Sequence, residues 1–258
     1  MKAILSAILL AALPTATFPA MAGDKPTIVL VHGAFADSSS WNRVTSALHR
    51  QGYEVRAVAN PLRGVEYDAR YLDDTLRAID GPVVLVGHSY GGLVIGEAAD
   101  TGRHVRALVF VSAFAADVGE TAASLSSKDP GSTLGSALAK PVPLYGGGVD
   151  LYVGNVPFPG QFAADVLEEE AALMAVAQRP VTEAALNEPA RRARWKSVPS
   201  WFIYGDADRN IPPSVLGFMA ARANARGEVV IEGGSHVVMV SHPDLVAKTI
   251  IEAASNAE

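Results

Sequence analysis

The sequence predicts an α/β fold: a mostly parallel six-stranded sheet with helices on both faces. Six short apolar runs rich in valine and isoleucine recur along the chain, PTIVLVHG, YEVRAVAN, PVVLVGH, RALVFVSAF, SWFIYGD and GEVVIEGG. Stretches with helical spacing separate most of them, and strands that are apolar throughout belong to sheets covered on both faces. The third observation is PVVLVGHSYGGLVIGEAA, residues 82–99, where Ser89 stands at the point at which a strand gives way to a helix.

In chain order, the first run is followed by Ser38 to Ser40, which offer caps to a helix carrying Trp41, Val44 and Leu48 on one face. Val83 to Val86 form a central strand, and GLVIGEAA opens the next helix. From about Ala115 to Ser197 the alternation stops. That interval holds no convincing strand, carries PVPLYGGGVDLYVGNVPFPG, and flanks it with the helical patterns FAADVLEEEAALMAVAQ and TEAALNEPARRARW. It reads as a mainly helical cap inserted between the fourth and fifth core strands, since loops of such length in compact domains are usually lids or binding elements. SWFIYGD and GEVVIEGG then complete the sheet, and Pro243 starts a last helix through Leu245, Val246 and Ile250.

At 258 residues, 49% apolar and 19% charged, the chain has the material for one well-packed domain. A formal charge of -6 without a basic stripe gives nucleic acid no footprint, and RRARWK at 191–196 reads as a solvated helix face. Residues 1–22 have the form of a secretory signal peptide. Lys2 precedes a mostly apolar run from Ala3 to Leu13, and Ala20-Met21-Ala22 ends the segment, so cleavage before Gly23 and export to a periplasm or medium are expected. The run is short for a bilayer span, which takes about 20 residues, so no stable membrane association is expected. With no cysteine, the chain has neither a thiol nucleophile nor a disulfide framework.

Ser89 lies between Gly87 and Gly91 in G-H-S-Y-G. A serine on so sharp a strand-to-helix turn has its hydroxyl thrust clear of the sheet, and its neighbours two before and two after must be nearly devoid of side chain. Of the six histidines, His236 follows the last strand and should emerge at the same sheet edge as Ser89. His242 suits a helix start, His32 and His88 suit loop bracing, and His49 and His104 suit the surface. The acid that orients the histidine should follow the fifth strand. There Asp208 is favoured, because the strand can end and the loop turn before its carboxylate points back, with Asp206 the alternative. An oxyanion needs two amide donors: Tyr90, after the serine, and Ala34 in VHGAFADSSSW, with Phe35 close behind. Phe35 and His88 are also the expected substrate-binding residues.

HGAFADSSSW, GHSYGG, VFVSAFAAD, GDADRNIP and GGSHVVMVSHP together resemble the α/β-hydrolase family. The resemblance covers nearly the whole mature chain and lies closest to the branch of plant methyl-ester esterases, hydroxynitrile lyases and bacterial carboxylesterases. It implies Ser89 as nucleophile, His236 as general base and then acid, Asp208 as its orienter, Ala34 and Tyr90 as oxyanion donors, and no cofactor or metal. One departure stands out: hydroxynitrile lyases carry a lysine beside the histidine, where this chain has Val237. Dehalogenases and epoxide hydrolases of the fold use aspartate in place of Ser89. The implied activity is hydrolysis of small, partly apolar carboxylic esters. Alternatives are a cofactor-free perhydrolase with the same triad and a ligand receptor with little turnover. Leu144, Tyr145, Leu151, Tyr152, Phe158 and Phe162 in the cap either line an apolar pocket or pack the cap on the core.

Overall fold

The computed structural model describes residues 25–98 and 105–256. The expected signal peptide and His104 lie outside the described residues. The first half runs β1 (Thr27–Val31), α1 (Asn42–Arg50), β2 (Val55–Val58), α2 (Val65–Arg77), β3 (Val83–His88), α3 (Gly91–Glu97) and β4 (Val105–Val111). The cap follows as α4 (Ala122–Ser126), α5 (Leu134–Ala137), β5 (Val142–Pro143), β6 (Val149–Leu151), α6 (Phe158–Phe162), α7 (Glu168–Ala177), β7 (Val181–Thr182) and α8 (Glu183–Asn187). The chain closes with β8 (Ser200–Gly205), α9 (Pro213–Arg222), β9 (Gly227–Ile231), α10 (Val238–Ser241) and α11 (Pro243–Ser255).

The six expected core strands form one sheet in the order β2-β1-β3-β4-β8-β9, and every pairing in it is parallel. β3 and β8 are buried along their whole length, so both of their faces need cover and their residues are mostly apolar. α2 and α3 supply that cover on one face, α1 and α11 on the other. At the edges, β2 and β9 expose part of each strand. Parallel pairing brings the carboxyl ends of β3, β8 and β9 to one sheet edge, where His88 pairs with Val111 and Gly205 with Ile231. The loops that carry chemistry in open α/β sheets leave from that edge.

Two expectations about the cap are corrected. It holds a three-stranded antiparallel sheet, β5-β6-β7, where no strand was expected. Strands of two or three residues, one of them containing Pro143, are too short to display an alternating pattern. RRARWK is not a solvated helix face either: only a short 3-10 turn forms at Arg194–Lys196, and Arg194 and Trp195 are buried. Trp195 donates its indole N–H to the Ala116 carbonyl at 2.8 Å, and Arg222 lies over its ring. Apolar contact and a satisfied indole draw that turn inward.

Cap and core are joined by part-buried polar contacts. Glu188 of the cap accepts from the backbone amides of Val65 at 2.7 Å and Glu66 at 3.2 Å. Gly64 offers no side chain to cap α2, so a carboxylate from the cap fills that place and faces the positive end of the helix. Glu97 likewise accepts from the amides of Arg191 and Arg192. Among the described residues no helix is long and apolar enough to cross a membrane.

Candidate active site

The turn after β3 is as sharp as the glycines imply. Ser89 has φ +51°, in the left-handed region that side chains rarely adopt. A Cβ at Gly87 would lie 2.6 Å from the Gly91 carbonyl oxygen, and one at Gly33 would lie 2.6 Å from the Ser89 Cβ. Glycine at these positions lets three backbone segments meet around the serine. The turn is held by hydrogen bonds from the Ser89 amide to the Val111 carbonyl at 3.3 Å, and from the Phe114 amide to the Ser89 carbonyl at 3.2 Å.

His236 leaves the loop after β9 and donates from Nδ1 to Asp208 Oδ2 at 2.7 Å. Both side chains are almost wholly buried. The other oxygen, Asp208 Oδ1, accepts from the amides of Asn210 at 2.8 Å and Ile211 at 3.0 Å. The carboxylate is therefore held at both oxygens, and an Asp bonded to Nδ1 fixes the tautomer that leaves Nε2 as a base. Asp206 is placed elsewhere: it is exposed and accepts from the Gly233 amide at 2.7 Å, bracing the β9 turn.

Ser89 and His236 line one cavity of about 170 Å³, together with Ala34, Phe35 and Tyr90. The Phe35 amide donates to the Arg179 carbonyl at 3.0 Å, which leaves Ala34 as the amide of that loop for an oxyanion. Phe35 meets Phe162 edge to face, with centroids 6.2 Å apart. His88 does not line the cavity. Its ring is fully buried, 4.8 Å from the His236 ring, and Nε2 donates to the His236 carbonyl at 3.1 Å. The side chain before the nucleophile turns back under the sheet edge, so His88 holds backbone and is not part of the cavity lining. Of the six apolar cap residues singled out from sequence, Phe162 alone lines this cavity, while Tyr145 is fully exposed and Phe158 is buried behind Phe162. The remaining cap wall includes Ala122, Leu134, Leu138 and Leu186. A larger groove of about 330 Å³ lies beyond Phe35, between α1 and α7, and contains none of the three candidate triad residues.

Buried histidines frame the site. His32 donates from Nδ1 to the Gly33 carbonyl at 2.9 Å and accepts at Nε2 from the Asn60 amide at 3.0 Å, bracing the Ala34 loop in its neutral form. Burial lowers its pKa to about 4. His88 is also pushed well below the ordinary value, by burial first and by His236 second. Asp68, which accepts the Tyr90 hydroxyl at 2.9 Å, is raised to about 6 by burial. The signs oppose each other. Between pH 6.5 and 4 the unfolded chain binds more protons at His32 than the folded one, so acidification costs stability, up to about 3 kcal/mol. Glu120, held below the usual carboxylate range by Arg222, acts in the same direction. Asp68 acts oppositely, because the folded chain holds its proton up to about pH 6. We expect urea unfolding to show stability falling from pH 7 to pH 4.5, and falling more steeply in Asp68→Asn. A flat profile, or one unchanged by that substitution, would contradict the assignment.

Fold and site define an α/β protein that carries a serine, a histidine and an aspartate at the carboxyl edge of its sheet. The chain belongs to the alpha/beta hydrolase family, whose model matches residues 28–249. It is 26% identical over 263 residues to the esterase PIR7B of Oryza sativa subsp. japonica, covering 91% of this chain and 98% of that one. It is 25% identical over 260 residues to the alpha-hydroxynitrile lyase of Arabidopsis thaliana, covering 90% and 98%. In fold it is similar to polyneuridine aldehyde esterase, with a TM-score of 0.76 at 21% identity, covering 89% of this chain and 99% of that one.

Proposed function

We propose that this protein is a carboxylesterase-type serine hydrolase acting on small, partly apolar esters. The observation that carries the reading is the buried Asp208–His236 pair opening onto the cavity that also holds Ser89 in its left-handed turn. Ser89 Oγ attacks the ester carbonyl as His236 Nε2 takes its proton. Asp208 keeps the Nδ1–H in place and stabilises the imidazolium. The amides of Ala34 and Tyr90 receive the developing oxyanion, each worth about 3 kcal/mol in the transition state. Collapse expels the alcohol with the proton from His236. Water, activated by the same base, then releases the acid and restores Ser89. Likeness to an esterase supports this reading, and Val237 beside His236 favours ester hydrolysis over cyanohydrin cleavage. The mature enzyme is read as starting at Gly23 and acting after export.

The test is turnover of p-nitrophenyl esters from acetate to octanoate by the chain starting at Gly23, with mass-spectrometric mapping of a serine-reactive phosphonate. Many turnovers per chain and one label, on Ser89, are expected. Absence of turnover across the series, or a label elsewhere, sinks the esterase reading.

A further inference from the structure

The cavity around Ser89 contains no lysine, arginine, aspartate or glutamate among its described lining residues, yet it contains Asn210. Asn210 is buried, and its Nδ2 has no hydrogen-bond partner among the described residues. The orientation of that amide is set by its neighbours. Gln161 of α6 donates from Nε2 to the Arg209 carbonyl at 2.9 Å and to Asn210 Oδ1 at 2.7 Å, while its Oε1 accepts from Thr133 Oγ1 at 2.7 Å. The Arg209 carbonyl can only accept, so Gln161 must present its NH₂ there. Flipping Asn210 would set two NH₂ groups against each other, so Oδ1 faces Gln161 and Nδ2 faces away from it. The Asn210 backbone is fixed separately, through its N–H, which donates to Asp208 Oδ1 at 2.8 Å. A buried donor without a partner is costly and rare in a folded protein. The residue that carries it lines the substrate cavity, on the loop that also carries the aspartate.

We infer that Asn210 is a specificity-determining residue whose side-chain amide donates to a second, uncharged oxygen acceptor on the substrate, such as a keto group. This rests on the esterase reading. The substrate class it selects is a neutral ester whose apolar chain carries that extra oxygen. A cavity without charged walls does not repay the desolvation of a charged substrate. A site built around a polar donor discriminates against the analogue that leaves the donor unpaired.

The experiment compares p-nitrophenyl 4-oxopentanoate and 5-oxohexanoate with the pentanoate and hexanoate, in the unmodified enzyme and in Asn210→Leu. Leucine approximates the shape and removes the donor. For at least one oxo ester, kcat/KM is expected to fall about tenfold or more in the variant, with the alkyl esters changed less than about threefold. Equal change in both classes overturns the inference. A binding arm separates it from the esterase reading: Ser89→Ala and Ser89→Ala/Asn210→Leu are titrated calorimetrically with the same esters. Loss of oxo-ester affinity confined to the double variant supports a recognition role even if no ester is turned over. Equal affinities overturn it. Should Asn210→Leu fail to fold, Asn210→Ala carries the same comparison, with thermal unfolding run alongside.

Discussion

Asp208→Asn is expected to lower kcat by about 10⁴-fold, while Asp206→Asn leaves it within about threefold. The two residues lie two positions apart after β8, but only Asp208 reaches His236. An asparagine there donates as well as accepts. With the Asn210 and Ile211 amides still claiming the side-chain oxygen, the NH₂ group falls opposite Nδ1. The imidazole then moves its proton to Nε2, and the atom that should take the serine proton no longer can. Among the described residues Asp206 accepts from the Gly233 amide, near the surface, so its loss costs local bracing. Steady-state turnover of one p-nitrophenyl ester by both variants settles the comparison. Similar losses in the two would remove Asp208 from its proposed role.

The core was legible because burial on two faces forces largely apolar runs, and β3 and β8 are buried at every position. Ser89, His236 and Asp208 were legible for a related reason: parallel strands deliver their following loops to one edge, so chain order predicts proximity. The cap was not legible in detail. Its strands β5, β6 and β7 owe their pairing to contacts far apart in sequence, as when Asp150 meets Thr182. Asn210 was missed because nothing in GDADRNIP distinguishes a loop asparagine from one that lines a cavity. Its significance comes from Gln161, 49 residues earlier, which fixes which end of the amide is left over. His88 carried two readings, loop bracing and substrate contact; its ring packs against that of His236 and donates to the His236 carbonyl, which is the bracing role.

Ser89 itself offers the largest expected effect and a second, independent one. Ser89→Ala and Ser89→Gly should both lower kcat by about 10⁶-fold, since neither retains a nucleophile. Their stabilities should differ. Alanine keeps a Cβ in the left-handed region at φ +51°, so it inherits the strain of the serine. Glycine occupies that region freely, and although it gives up more entropy on folding, the balance favours it by about 1 kcal/mol. Urea unfolding of the three proteins at one pH reads this directly. If Ser89→Gly is no more stable than Ser89→Ala, the turn is not strained and its glycine neighbours answer only to packing. If it is more stable and inactive, the backbone energy held at Ser89 belongs to the geometry that presents the hydroxyl to substrate, and the fold maintains it through the Val111 and Phe114 hydrogen bonds on either side.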